Sequence, residues 1–157
     1  MSSRKPEDLT KEMRLLYEKF MYKMIEAKIP YIVTCTARDV KEQVALYSQG
    51  RQPIEEVNTL RVMAKMPPIT DKENVKVTWT MASKHIVNLD DGNTANDKAR
   101  AFDIVITKNN KPTWDIKVNV NGNEIPDYTE SGKIGESVGL KWGGRFKSPD
   151  FPHFEMP

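Results

Sequence analysis

The sequence predicts an α+β domain, helices packed on a small, mainly antiparallel sheet. Three observations predict it. Apolar residues recur at three- and four-residue steps near the N-terminus, they alternate at period two in several short β-branched runs, and turn-forming residues separate these segments. No repeat and no low-complexity linker divides the chain, and its 157 residues suit one domain, 1–157, with a single hydrophobic core. With 38% hydrophobic and 29% charged residues, the composition is that of a folded chain and not a disordered one.

In order along the chain, Leu9, Met13, Leu16, Tyr17, Phe20 and Met24 form the stripe of an amphipathic helix over residues 9–28, ended by Pro30. The β-branched run 32–36 reads as a strand. Asp39, with Glu42 three residues on, predicts a capped helix start, and Gly50 its end. Pro53, Pro67 and Pro68 bracket a short helix over 54–65. Residues 75–81 alternate Val75, Val77, Trp79 and Met81 with polar residues, the pattern of a half-buried strand. Residues 87–100 are polar and turn-rich, and 101–107 is an apolar strand. Ile116, Val118 and Val120 alternate before Asn121-Gly122, which predicts a hairpin turn. A helix over 128–138 closes at Gly139.

The charge balance of +2 gives no support for a nucleic-acid partner. No apolar run reaches the roughly 20 residues that span a bilayer. The start, Met1 to Pro6, is polar and lacks a signal-peptide core, so synthesis in the cytoplasm without a signal peptide is expected. The single cysteine, Cys35, forms no internal disulfide; it reads as a small buried hydrophobe in a strand, with a nucleophile as the alternative.

Chemistry concentrates around the two histidines, His85 and His153, and around Asp103, an acid inside an apolar strand. An ionised carboxylate there requires a positive partner, either a metal ion or an arginine. Two imidazoles and a carboxylate make a complete protein ligand set for a catalytic zinc, with water in the fourth position. The spacing alone is no short-range metal signature.

The ordered motifs Ser83-x-His85, Ala101-x-Asp103, Trp142-Gly143-Gly144 and Asp150-x-x-His153-Phe154-Glu155 resemble those of the zinc D-alanyl-D-alanine carboxypeptidase and L-alanyl-D-glutamate peptidase superfamily. Residues 34–39, with Glu42-Gln43 and the run 46–51, resemble that superfamily's strand, arginine turn and helix. The resemblance spans nearly the whole chain, is weakest over 52–74 and 108–127, and points most directly to phage endolysin endopeptidases. It implies the fold of hedgehog and DD-peptidase domains. It also implies one zinc held by His85, Asp103 and His153, Asp150 as general base, and Arg38 as the group that meets developing negative charge. Ser83 would steady the site, and Gln43 and Tyr47 would lie near the substrate cleft. Without the resemblance, Arg38 reads as a surface residue in a turn and Asp150 as a turn residue after Pro149. Glu155 is a rival base or, sharing the face of His153 two residues away, a supporting hydrogen-bond partner.

The chain departs from the superfamily pattern between the first histidine and the aspartate, where 17 residues intervene and the usual glycine position holds Ala99. Residues 86–98 read as a loop insertion, which costs little entropy when its ends are anchored. Its Asp90, Asp91, Asn93 and Asp97 suggest a solvated surface loop or a calcium site. Under a different alignment, Asp90, Asp91 or Asp97 would be the ligand in place of Asp103. The expected function is hydrolysis of the L-alanyl-D-glutamate bond of peptidoglycan by a monomeric phage endolysin. Such an enzyme would reach the wall with holin-type help. The alternatives are a D,D-carboxypeptidase or dipeptidase, or a non-catalytic wall-binding or virion protein.

Overall fold

In the computed structural model, which describes residues 2–157, the Thr10 hydroxyl accepts the Met13 amide and starts helix α1, Lys11–Glu26. Its stripe of Met13, Tyr17, Phe20 and Met24 is buried. The helix ends one turn before Pro30, with Lys28 in the left-handed region at φ 58°. The remaining helices are α2, Val40–Ser48; α3, Ile54–Met63; and α4, Asp127–Ser137. Gly50 at φ 73° follows α2, and Gly139 at φ 102° follows α4, as their glycines predict.

The main sheet is antiparallel and centres on β4, Ala101–Lys108. One edge of β4 carries β1, Tyr31–Cys35. The other edge carries β7, His153–Glu155, at its start and β5, Lys111–Thr113, at its end. A short strand β6, Lys141–Trp142, lies outside β7. Apart from this sheet, β2, Arg38–Asp39, pairs in parallel with β3, Ile86–Val87.

Strand periodicity divides the residues between two faces. Phe102 lies opposite Phe154, and these rings stack 5.2 Å apart beneath Phe20 of α1, which is 4.9 Å from Phe154. Ile104 and Ile106 join this aromatic core. The intervening residues, Asp103 on β4 and His153 and Glu155 on β7, fall on the other face, and Asp103 is the cross-strand partner of both Cys35 and His153. The apolar face of one sheet therefore fixes the position of the polar face. Helix α4 approaches the core closely because Gly132 and Gly135 lie against the rings of Trp142 and Phe154, where a methyl group would overlap them. Phe20 is fully buried, and Phe20→Ala is expected to destabilise the fold by about 3–5 kcal/mol in denaturant titration.

Three local expectations are corrected. Residues 75–81 form no strand. Side chains grip this backbone: Gln43 Nε2 donates to the Thr80 carbonyl at 2.8 Å and Arg51 Nη2 to that of Thr78 at 3.0 Å. With no sheet edge opposite, the alternating Val75, Val77, Trp79 and Met81 remain exposed. Residues 116–120 are likewise no strand. Only Val118 of the three apolar residues is buried, and the two-residue hairpin turn is Asn109-Asn110, at φ 53° and 63°, joining β4 to β5. Asp39 occupies the N-cap of α2 without a side-chain capping bond; its carboxylate accepts the Leu89 amide, and Ser2 donates to Glu42.

Candidate metal centre

His85 Nε2, Asp103 Oδ1 and His153 Nδ1 converge: the two nitrogens are 3.2 Å apart and lie 3.1 and 2.9 Å from the oxygen. Three elements bring them together. Asp103 and His153 are paired across β4 and β7, while β3 follows His85 and is tied to β2. The Arg38 amide donates to the His85 carbonyl at 2.8 Å, and the Ser83 hydroxyl accepts the His85 amide at 3.2 Å. Both imidazoles are buried, His85 at 3% exposure and His153 at 7%.

The outer hydrogen bonds determine which nitrogen faces inward. His85 Nδ1 lies 2.6 Å from the Thr36 carbonyl, an acceptor only, so this nitrogen carries the hydrogen. His153 Nε2 is 2.9 Å from the Glu155 carboxylate and donates to it, and Lys84 holds the other oxygen of Glu155 at 2.7 Å. Each neutral ring therefore presents a bare lone pair to the Asp103 carboxylate. Three acceptors meeting without a donor are stable only around a cation or a proton. Ligands at zinc bond lengths of about 2.0–2.2 Å in a tetrahedron stand about 3.3 Å apart, close to the spacing seen here. The donor set fits zinc, and a carbonyl or carboxylate orienting each histidine is the usual outer arrangement of such sites.

The same contacts shift the titration of these groups. Burial lowers both imidazole pKa values, but the hydrogen bonds to Asp103 outweigh it and raise both. Burial raises Asp103, and the two histidines reverse this and hold it below the ordinary carboxylate range. The His153 hydrogen bond, opposed by burial and aided by Lys84, lowers Glu155 to about 2. The carboxylate contributions to metal-free stability are thus present above the unfolded carboxylate pKa and are lost as pH falls through the folded values. The imidazole contributions are complete below the unfolded value and are lost as pH rises through the raised ones. Metal-free protein is expected to melt highest between about pH 5 and 6.5 and to weaken toward pH 9. Zinc binding needs deprotonated rings and runs the opposite way, so thermal melts in chelator and in zinc should diverge as pH rises. A metal-free melting temperature that climbed steadily to pH 9 would contradict this assignment.

Asp150 stands beside the cluster. Its backbone is fixed by the bond from its amide to the Gly143 carbonyl at 2.8 Å and by the His153 amide on its own carbonyl at 3.2 Å. Gly143 has to be glycine at this approach, since a Cβ would fall 2.4 Å from the Asp150 carbonyl oxygen. The residue is exposed, yet its carboxyl is packed on one side. Burial and the nearby Asp103 charge raise its pKa. Arg38 is held by three side chains: Nη1 donates to Gln43 Oε1 at 2.9 Å, Nε to Ser2 Oγ at 3.3 Å, and Nη2 lies 3.6 Å from Cys35 Sγ. Gln43, fully buried, thus links Arg38 to the 78–80 segment. Tyr47, one turn further along α2, stacks its ring 3.8 Å from the Arg51 guanidinium.

Cys35 is more than a buried hydrophobe in its placement. Its sulfur lies with donor atoms of His85 and Asp103 in a group whose members are all within 4.8 Å of one another. The strand pattern concealed this because the register of β1 against β4 shifts between Val33 and Cys35. The 86–98 loop gives no support to a calcium site. Asp90 pairs with Lys41 at 2.5 Å, and Asp91 accepts from the Asn93 amide and the Asn96 side chain. The loop's far end is anchored where Thr10 donates to the Ala99 carbonyl and Ala99 to the Asp8 carbonyl. The aspartate that meets the histidines is Asp103.

Residues 97–156 match the model of a family described as D-alanyl-D-alanine carboxypeptidase, which covers Asp103, Asp150 and His153 but not His85 or Arg38. Comparison with curated proteins gives no significant sequence match. Among solved structures, the fold is similar to that of the L-Ala D-Glu endopeptidase ChiX of Serratia marcescens. The TM-score is 0.55 at 13% identity, over 100% of this chain and 89% of that one. Residues 97–156 are thus similar to that carboxypeptidase family, and the chain as a whole shares the fold of that endopeptidase.

Proposed function

We propose that the protein is a zinc-dependent peptidoglycan peptidase that hydrolyses the L-alanyl-D-glutamate bond of stem peptides, acting as a phage endolysin. The observation that carries this reading is the convergence of three inward-facing acceptors, His85 Nε2, Asp103 Oδ1 and His153 Nδ1, beside a carboxyl with a raised pKa. A zinc ion held there would polarise a carbonyl oxygen and supply a water acidic enough to ionise near neutral pH. Asp150 takes a proton from the attacking water and returns it to the leaving amine; its raised pKa suits both transfers. Arg38, fixed by Gln43 and Ser2, offers positive charge to the oxygen that becomes negative as the carbonyl turns tetrahedral. Glu155 and the Thr36 carbonyl hold the two rings in the ligating tautomer.

The choice of bond rests on the sequence resemblance to endolysin endopeptidases and on the fold shared with an L-Ala D-Glu endopeptidase. The family model matching residues 97–156 favours a second reading, a D,D-carboxypeptidase. Digestion of purified peptidoglycan, with zinc-loaded and metal-stripped protein, separates the two by the mass of the products. New L-alanine C-termini and D-glutamate N-termini, formed only with metal, are expected. Free D-alanine would establish the carboxypeptidase, and no metal-dependent product would leave a non-catalytic wall-binding protein.

A further inference from the structure

We infer that Cys35 is a fourth protein donor to the metal, so that the centre has a closed resting form in which a thiolate occupies the position otherwise left for water. This rests on the zinc reading above and adds to it a ligand that the family resemblance does not assign. Three observations carry it.

The first is placement. Cys35 Sγ and donor atoms of His85 and Asp103 all lie within 4.8 Å of one another, and the residue is only 4% exposed. Zinc bonds sulfur at about 2.3 Å and nitrogen or oxygen at about 2.0–2.2 Å, so donors on one ion stand about 3.3–3.7 Å apart. The second is the backbone. The register irregularity between Val33 and Cys35 sets Cys35 directly across from Asp103, and such bulges re-aim a side chain. The third is the polar neighbour: Arg38 Nη2 lies 3.6 Å from Sγ, so the sulfur sits on the polar face of the sheet and not in the aromatic core. On ligation the S–H bond breaks, the proton leaves to solvent, and the sulfur electron pair forms the new bond.

The closed form makes two demands that an ordinary three-ligand site does not. Zinc should be held more tightly than by His85, Asp103 and His153 alone, and a sulfur should be visible in the metal's spectrum. The test is cobalt(II) substitution of the full-length metal-stripped protein, with bound cobalt quantified, in wild type and in Cys35→Ser. Wild type should show a near-ultraviolet sulfur-to-cobalt charge-transfer band, and Cys35→Ser should lose it while retaining cobalt. Zinc affinity measured by chelator competition should fall at least about tenfold in the variant. If Cys35→Ser does not fold, Cys35→Ala supplies the same comparison. Stoichiometric cobalt with visible ligand-field bands but no charge-transfer band in wild type would overturn the thiolate and leave the three-ligand centre intact. Failure of wild type to bind cobalt or zinc at all would overturn both.

Discussion

Asp103→Ala is expected to abolish zinc binding and reduce peptidoglycan hydrolysis to background. Asp103 Oδ1 is the one anionic atom that both imidazoles contact at the centre, at 3.1 and 2.9 Å. Its removal leaves two neutral nitrogens 3.2 Å apart. The loss should exceed the roughly 10–100-fold that follows removal of a partner outside the ligand sphere. The variant should still fold, because the apolar face of the same strand, Phe102, Ile104 and Ile106, is unaltered and fully buried. Bound zinc, quantified after dialysis, gives the answer independently of activity. Stoichiometric zinc in folded Asp103→Ala would remove this residue from the ligand set.

Asp150→Asn should have the opposite signature, with zinc retained and hydrolysis reduced by about 10²–10⁴, the usual contribution of a general acid–base group. The two carboxylates near His153 differ in what binds them. Glu155 has one oxygen on His153 and the other on Lys84, and its pKa is lowered to about 2, which makes it a weak base. Asp150 has its pKa raised by burial and by Asp103, closer to the pH at which a wall peptidase works. The acid limb of kcat/KM should accordingly lie above the ordinary aspartate value of about 4. Near-normal turnover by Asp150→Asn would transfer the base role to Glu155.

The sequence held more of the core and of the three converging side chains than of the segments around them. The Met13, Tyr17, Phe20 and Met24 stripe and the strand around Asp103 were legible because burial imposes periodicity on residues that touch only the core. His85, Asp103 and His153 were found through the resemblance of Ser83-x-His85, Ala101-x-Asp103 and Asp150-x-x-His153 to ordered family motifs, since their spacing alone is no metal signature, and the three side chains converge in the structure. The strand proposed for residues 75–81 failed because alternation reports a half-buried surface only where a sheet edge exists to pair with. Here Gln43 and Arg51 reach that backbone from α2 and the turn after it, a contact without local signature. The hairpin was expected at Asn121-Gly122 and lies at Asn109-Asn110, because asparagine also enters the left-handed region when the flanking residues can pair. Cys35 read as a buried hydrophobe in a strand, with a nucleophile as the alternative, because its place beside His85 and Asp103 depends on a one-residue register shift that no periodicity reveals.

The most direct test of the account is anomalous diffraction at the zinc edge from crystals of the zinc-loaded protein. A single peak is expected within about 2.0–2.2 Å of His85 Nε2, an Asp103 oxygen and His153 Nδ1 together. A zinc peak on the Asp90–Asp97 loop, or none where the three side chains meet, would contradict it.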